Sequence, residues 1–285
     1  MIDKVVDRWS LIAGGLMLGM LLLVTAPATA AHRGYPNAMA VLGHSGATGE
    51  SSDPSKPLHY EARENSWATG TNPAVKSLYL RLLTVNPKIE GHNFNLAQGG
   101  ADVNGLYKQA TIAVPKLQPR PDLFVIQILD NDIRCDGTDQ KNFLKFRGTL
   151  TKALKALAKR APAAHIFVVS QFGSPTTALA TTTRAQRRQF GGGSGPCDAV
   201  DASGRIIPER LAYLESVIHG YEAALASACK QVTRCRYDGG AFGRIVDRTE
   251  YVSARDPNHF SIKGHAKAAS VAWAAMRRTG VIPSS

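Results

Sequence analysis

Residues 123–129 read LFVIQIL, and DND follows at 130–132. A near-continuous apolar run of this length, ending in turn residues, reads as a strand buried on both faces. Three further stretches have the same character: NAMAVLG (37–43), HNFNLA (92–97) and HIFVVSQ (165–171). A weaker strand is expected near RIVDR (244–248). Between them, helical periodicity covers roughly 72–85, 103–116, 141–160, 207–231 and 261–279. The 141–160 stretch is representative, because Phe143, Phe146, Leu150, Leu154 and Leu157 recur at three- and four-residue steps with lysines opposite. Strands alternating with helices, and apolar along their length, predict an α/β fold. The expected architecture is a three-layer α/β/α sandwich around a central, mainly parallel five-stranded sheet.

The 285 residues suffice for one large domain or two small ones, and no internal repeat or second composition block appears. With 44% hydrophobic and 20% charged residues the chain has the makings of an ordinary core. The N-terminus differs. A charged start (Asp3, Lys4, Asp7, Arg8) precedes the apolar run Leu11–Val24, and APATAA follows. This pattern, with Ala28 and Ala30 as small residues, predicts a signal peptide over 1–30, cleaved near Ala30, and a single domain over 31–285. An uncleaved anchor is the alternative, but the strictly apolar run is shorter than the roughly 20 residues a spanning helix needs. Export suits the four cysteines, Cys135, Cys197, Cys229 and Cys235, which form two disulfides in an oxidising compartment. Three pairings are possible; the short separation favours Cys229 with Cys235, leaving Cys135 with Cys197. Zinc binding is disfavoured, since Cys-x5-Cys with distant partners is a poor ligand spacing.

The net charge is +12, and it is unchanged without residues 1–30. Lys152, Lys155, Lys159 and Arg160 lie on one helix, and Arg184, Arg187 and Arg188 in a loop. They are not interleaved with aromatic residues, so no specific nucleic-acid groove is expected. A solvated basic face is the first reading, with loose attraction to an anionic cell envelope second. The glycine-rich stretch 190–204 lacks the Lys-Ser/Thr ending of a phosphate loop, and no cofactor is expected.

Chemistry in such sheets gathers beyond the carboxyl ends of the strands. The first strand ends in GHSGATGE (43–50), placing Ser45 on a glycine-flanked turn. The second ends in NLAQGGAD (95–102), where Gly99 or Gly100 could offer a backbone N–H. The third ends in DND, where Asn131 could offer its carboxamide. Near the C-terminus, Asp256 and His259 are three residues apart in DPNH, a spacing that lets the carboxylate hold Nδ1–H and turn Nε2 outward. His265 falls inside a helical pattern and reads as packed or surface. The remaining histidines, His59 among them, lack a carboxylate at a useful spacing. His44 adjoins Ser45, but neighbours on a turn point apart, so it reads as a supporting group.

With these blocks in order, the chain from about 38 to 279 resembles the SGNH (GDSL-type) hydrolase family. VLGHSGATG is similar to the nucleophile block, NLAQGGAD to the glycine block, LDND to the asparagine block and DPNH to the Asp-x-x-His block. The resemblance implies a flavodoxin-like sandwich and a serine esterase needing no cofactor or metal. It implies Ser45 as nucleophile, His259 as base, Asp256 as orienting acid, and Ser45 N–H, Gly100 and Asn131 as oxyanion donors. Gly100 is preferred to Gly99 because the family's glycine stands five residues after the asparagine, here Asn95. Two positions depart from the pattern: His44 stands where the family has Asp, and Leu129 where the asparagine block has Gly.

An α/β-hydrolase is the rival fold, but its Gly-x-Ser-x-Gly elbow fails at Ala47, and here acid and base share one loop. The expected substrate is an ester of a lipid, a small alcohol or an acylated carbohydrate. Alternatives are transfer or removal of acyl groups on envelope sugars, and a silent module binding an anionic polymer. Loops 50–70, 134–141 and 172–204 should shape the pocket, with Tyr60, Trp67 and Phe190 either lining it or packing beneath the loops.

Overall fold

The computed structural model of the protein describes residues 34–189, 191–256 and 258–284, all within the unit Ala31–Ser285. The expected signal peptide lies outside the described residues, as does Phe190. Five strands form one sheet: β1 (Met39–Gly43), β2 (Asn93–Asn95), β3 (Leu123–Gln127), β4 (His165–Val168) and β5 (Cys235–Tyr237). Their order is β2-β1-β3-β4-β5, and every neighbouring pair is parallel. This is the flavodoxin-like order, which reverses direction between β1 and β3. All residues of β1 and β3 are buried, as their apolar runs require.

The helices are α1 (Leu78–Val85), α2 (Val103–Lys108), α3 (Asp139–Arg160), α4 (Pro175–Thr181), α5 (Arg184–Arg187), α6 (Pro208–Cys229) and α7 (Ile262–Arg278). Alternate strand residues feed two separate cores. Ala40, Leu42, Phe124 and Ile126 pack with α2, α3 and α6. Met39, Val41, Leu123 and Val125 pack with α1 and α7. The three-layer α/β/α sandwich follows from that alternation. Phe146, Leu150, Leu154 and Leu157 of α3 are buried as their spacing predicts, and Phe143 meets Tyr221 of α6 edge-on.

Several boundaries differ from expectation. Residues 244–248 are not a strand; Ile245 and Val246 fill the core beside Phe242 just after the short 3-10 segment Phe242–Arg244. The fifth strand is Cys235–Tyr237, only three residues long and closed onto the end of α6 by the Cys229–Cys235 disulfide. The helix expected over 72–85 begins at Leu78, where Ser77 caps it by accepting from Leu80 N–H. The stretch 103–116 divides into α2, a π-helical turn (Gln109–Ala113) and a 3-10 turn (Val114–Lys116) that Pro115 imposes. The second disulfide joins Cys135 to Cys197, linking the loop after β3 to the glycine-rich loop. No helix among the described residues is long and apolar enough to cross a membrane.

Candidate active site

Ser45 opens a single 3-10 turn (Ser45–Ala47) directly after β1. Gly43 makes the exit possible: its φ is +131°, and a Cβ there would lie 1.7 Å from the Gln127 carbonyl oxygen. Buried Gln109 grips the same glycine at both ends, accepting from Gly43 N–H at 2.8 Å and donating to its carbonyl at 2.9 Å. The π-helical turn is what brings Gln109 there, a feature with no sequence signature. His44 caps the serine turn, its Nδ1 accepting from Gly46 N–H at 3.0 Å. That nitrogen therefore carries no proton, and Nε2–H faces Asp130 Oδ2 at 3.4 Å. His44 thus points away from Ser45 and ties the serine turn to the loop after β3. Burial holds its pKa below the ordinary histidine value despite the attraction of Asp130.

His259 reaches the serine from the far end of the chain. Its Nε2 is 2.8 Å from Ser45 Oγ, and its Nδ1 is 2.6 Å from Asp256 Oδ2. Asp256 Oδ1 accepts from Asn258 N–H at 2.9 Å, so the carboxylate is fixed at both oxygens. The loop carrying the pair is anchored to the segment after Ser45. Ser253 Oγ donates to the Ser51 carbonyl, and the Arg255 guanidinium donates to the Pro54 and Lys56 carbonyls. Burial alone would raise the Asp256 pKa, but the imidazole and the Asn258 N–H outweigh it and hold it low. Burial alone would lower the His259 pKa, but the hydrogen bond and charge of Asp256, with Glu50 and Asp130, outweigh it and raise it. The two shifts agree: together they favour an ionised Asp256 beside a readily protonated His259.

The expected oxyanion donors sit at the neighbouring strand ends. Asn131 Nδ2 donates to the Ala101 carbonyl at 3.1 Å, which joins the asparagine and glycine loops and leaves its second N–H uncommitted. Asp132 strengthens that junction by accepting from Val103 N–H through both oxygens. Burial raises the Asp132 pKa to about 7. Gly99 N–H is already donated to Glu61 Oε1 at 3.0 Å. Gly100 has φ +73°, and no described residue accepts from its N–H or from that of Ser45. Gly100 does not itself line the cavity described next, whereas Asn131, Ser45 and His259 do.

The cavity measures about 970 Å³ and extends from Ser45 and His259 past Phe172, Leu179, Val246 and Ile218. Its outer wall belongs to the 172–204 loop, including Cys197, as the sequence suggests. Trp67 is not a pocket residue. It is fully buried, meets Phe242 edge-on at 4.8 Å and donates its indole N–H to Gln127 Oε1 at 2.8 Å. Tyr60 lies outside the cavity lining, with Lys56 over its ring. Leu129 adopts φ +146° while fully buried. That backbone region is costly for a residue that carries a side chain.

The chain resembles a number of solved structures, three of which follow. One is a protein assigned as a GDSL-like lipase from Parabacteroides merdae: 14% identity, 86% of this chain and 95% of that one covered, TM-score 0.50. Another is phospholipase A1 from Streptomyces albidoflavus: 12% identity, 84% and 98% covered, TM-score 0.50. The third is an extracellular lipase from Streptomyces rimosus: 16% identity, 83% and 98% covered, TM-score 0.50. The likeness is one of fold. No protein-family model matches the chain, and no curated protein does.

Sequence reasoning missed Glu50, 3.9 Å from His259 Nε2, and its partner His59. His59 does have a carboxylate partner, Glu50, at 2.8 Å from its Nδ1. Glu50, His59 and Asp256 each bring one ligand-type atom within 4.8 Å of the others. Nothing in the local spacing announces this, because a backbone reversal with φ +55° at Ser51 and +62° at His59 folds residue 59 back over residue 50.

Proposed function

We propose that the protein is a serine ester hydrolase working through an acyl-enzyme on Ser45. The observation that carries this reading is the continuous hydrogen-bonded chain from Ser45 Oγ through His259 to Asp256, opening on an apolar-walled cavity. His259 Nε2 takes the serine proton as Oγ attacks the ester carbonyl, and Asp256 holds the ring and balances the imidazolium charge. Ser45 N–H, Gly100 N–H and the free Asn131 N–H receive the oxyanion, each such donor being worth about 3 kcal/mol of transition-state stabilisation. The imidazolium then protonates the departing alcohol. A water molecule, deprotonated by His259, releases the acid.

Lipases and a phospholipase of the same fold support this reaction class. The apolar wall from Phe172 to Ile218 suits an acyl group better than a sugar, which favours esters of fatty acids over acylated carbohydrate. The two disulfides support the companion proposal of an exported protein, matured by loss of residues 1–30. The test is hydrolysis of p-nitrophenyl acetate, butyrate and octanoate by residues 31–285, with and without Ser45→Ala. The variant should lose at least a thousandfold in kcat, and equal rates for the two proteins refute the proposal.

A further inference from the structure

The serine mechanism leaves one buried carboxylate beside the base without a task. Glu50 is 7% exposed and ends the stretch that begins with the serine turn. An antiparallel bridge between Glu50 and Glu61 fixes its backbone. Its Oε1 lies 2.8 Å from His59 Nδ1 and 3.9 Å from His259 Nε2. Its Oε2 occupies the space over Gly99, where an added Cβ would come within 2.9 Å of it. Gly99 therefore makes room for Glu50, while its N–H serves Glu61. The carboxylate faces the same ring nitrogen that receives the Ser45 proton, whereas Asp256 holds the other nitrogen.

We propose that Glu50 is a positioning residue for the base, a second carboxylate that stabilises the imidazolium of His259 from its Nε2 side. The proposal rests on the Ser45 reading above. Glu50 takes up no proton in this role: the proton moves from Ser45 Oγ to His259 Nε2, and Glu50 balances the charge that results. His59, with most of its ring in solvent, lies against Glu50 and holds the carboxylate in place.

Other charged groups act on His259 from every side. Asp256 comes from its own loop, Asp130 from the loop after β3, His44 from the end of β1 and His265 from α7. His59 stands behind Glu50 and near Asp256. The carboxylates favour the charged ring and the histidines oppose it. Removing Glu50 alone should thus lower the proton affinity of His259 while Asp256 still orients it.

The experiment measures kcat and KM for p-nitrophenyl butyrate from pH 4.5 to 9 in wild type, Glu50→Gln and Glu50→Asp. In Glu50→Gln the acidic limb of kcat/KM should move down by about one pH unit, because one unit corresponds to a tenfold change in relative stabilisation of the protonated ring. Its plateau kcat should fall about tenfold with KM within twofold, and Glu50→Asp should restore most of the limb. A second readout needs no activity. The ring protons of His259, titrated by NMR in a Ser45→Ala background, should show the same downward shift on Glu50→Gln. An unmoved limb together with an unmoved titration overturns the proposal, even if the rate falls, since that pattern marks a merely structural role. Failure of the Ser45 reading is distinguishable: there, Ser45→Ala keeps wild-type hydrolysis.

Discussion

Gly46→Ala tests whether the serine turn is as tightly enclosed as its surroundings imply. Gly46 has no left-handed φ, so alanine is conformationally acceptable and the cost is one of contact. An added Cβ would stand 2.4 Å from Gln127 Nε2, 2.9 Å from Gln127 Cδ and 2.9 Å from His44 Cε1. Neither neighbour retreats freely. Gln127 Oε1 accepts the indole N–H of fully buried Trp67 at 2.8 Å, and breaking that bond strands a buried donor at a cost of about 1–3 kcal/mol. The His44 ring is held between Gly46 N–H and Asp130. Leaving both in place instead forces overpacking, also about 1–3 kcal/mol. These are alternative responses, so the expected destabilisation is about 1–3 kcal/mol in total. The third response, moving the turn, displaces Ser45 from His259, and a shift of about 1 Å can cost roughly a hundredfold in rate. Urea unfolding by far-UV circular dichroism, with kcat for p-nitrophenyl butyrate, reads both effects. A variant within about 0.5 kcal/mol of wild type, the range of an unremarkable surface change, and with unchanged kcat refutes the reasoning.

His265 and the disulfides give two further predictions. His265 is fully buried against Phe260, neither ring nitrogen has a partner among the described residues, and burial, aided by the charge of His259, lowers its pKa to about 3. Such a histidine must stay neutral in the fold while the unfolded chain protonates below about 6.5, so stability is lost as pH falls through that value. His265→Phe should reduce the loss between pH 7 and pH 5 by about 2 kcal/mol in urea unfolding, and parallel losses in the two proteins count against it. Replacing Cys135 and Cys197 by serine opens a loop spanning 62 residues and should cost about 4 kcal/mol, against about 2 for Cys229 and Cys235, six apart. Thermal unfolding of the two double variants should rank them in that order, and the reverse order contradicts the loop-entropy account.

Much of the architecture was legible because its determinants are local and periodic. The runs MAVLG and LFVIQ can only be strands covered on both sides, and the leucine spacing of α3 admits only one face. The pairing of Asp256 with His259 was legible for a similar reason, since the two make their contact within one short loop. What the sequence hid depends on distant packing. The strand Cys235–Tyr237 has one apolar-facing pattern too short to register, and it is set by β4 and a disulfide. Residues 244–248 look strand-like, yet Ile245 and Val246 are apolar because they cap a core. Gln109 reaches Gly43 across 66 positions, and Glu50 meets His259 only after the chain has closed. The place of His44 beside the serine also becomes intelligible only in three dimensions. Its Nδ1 accepts the Gly46 N–H, and its far nitrogen faces Asp130.

The central claim is that Ser45 is the nucleophile, and covalent mapping tests it most directly. The protein is incubated with a fluorophosphonate at neutral pH, digested and analysed by mass spectrometry. The account predicts a single phosphonyl adduct on Ser45, formed far more slowly in His259→Ala, where the serine has lost its base. Ester hydrolysis that persists with no adduct on Ser45, or an adduct mapped to another residue, contradicts it.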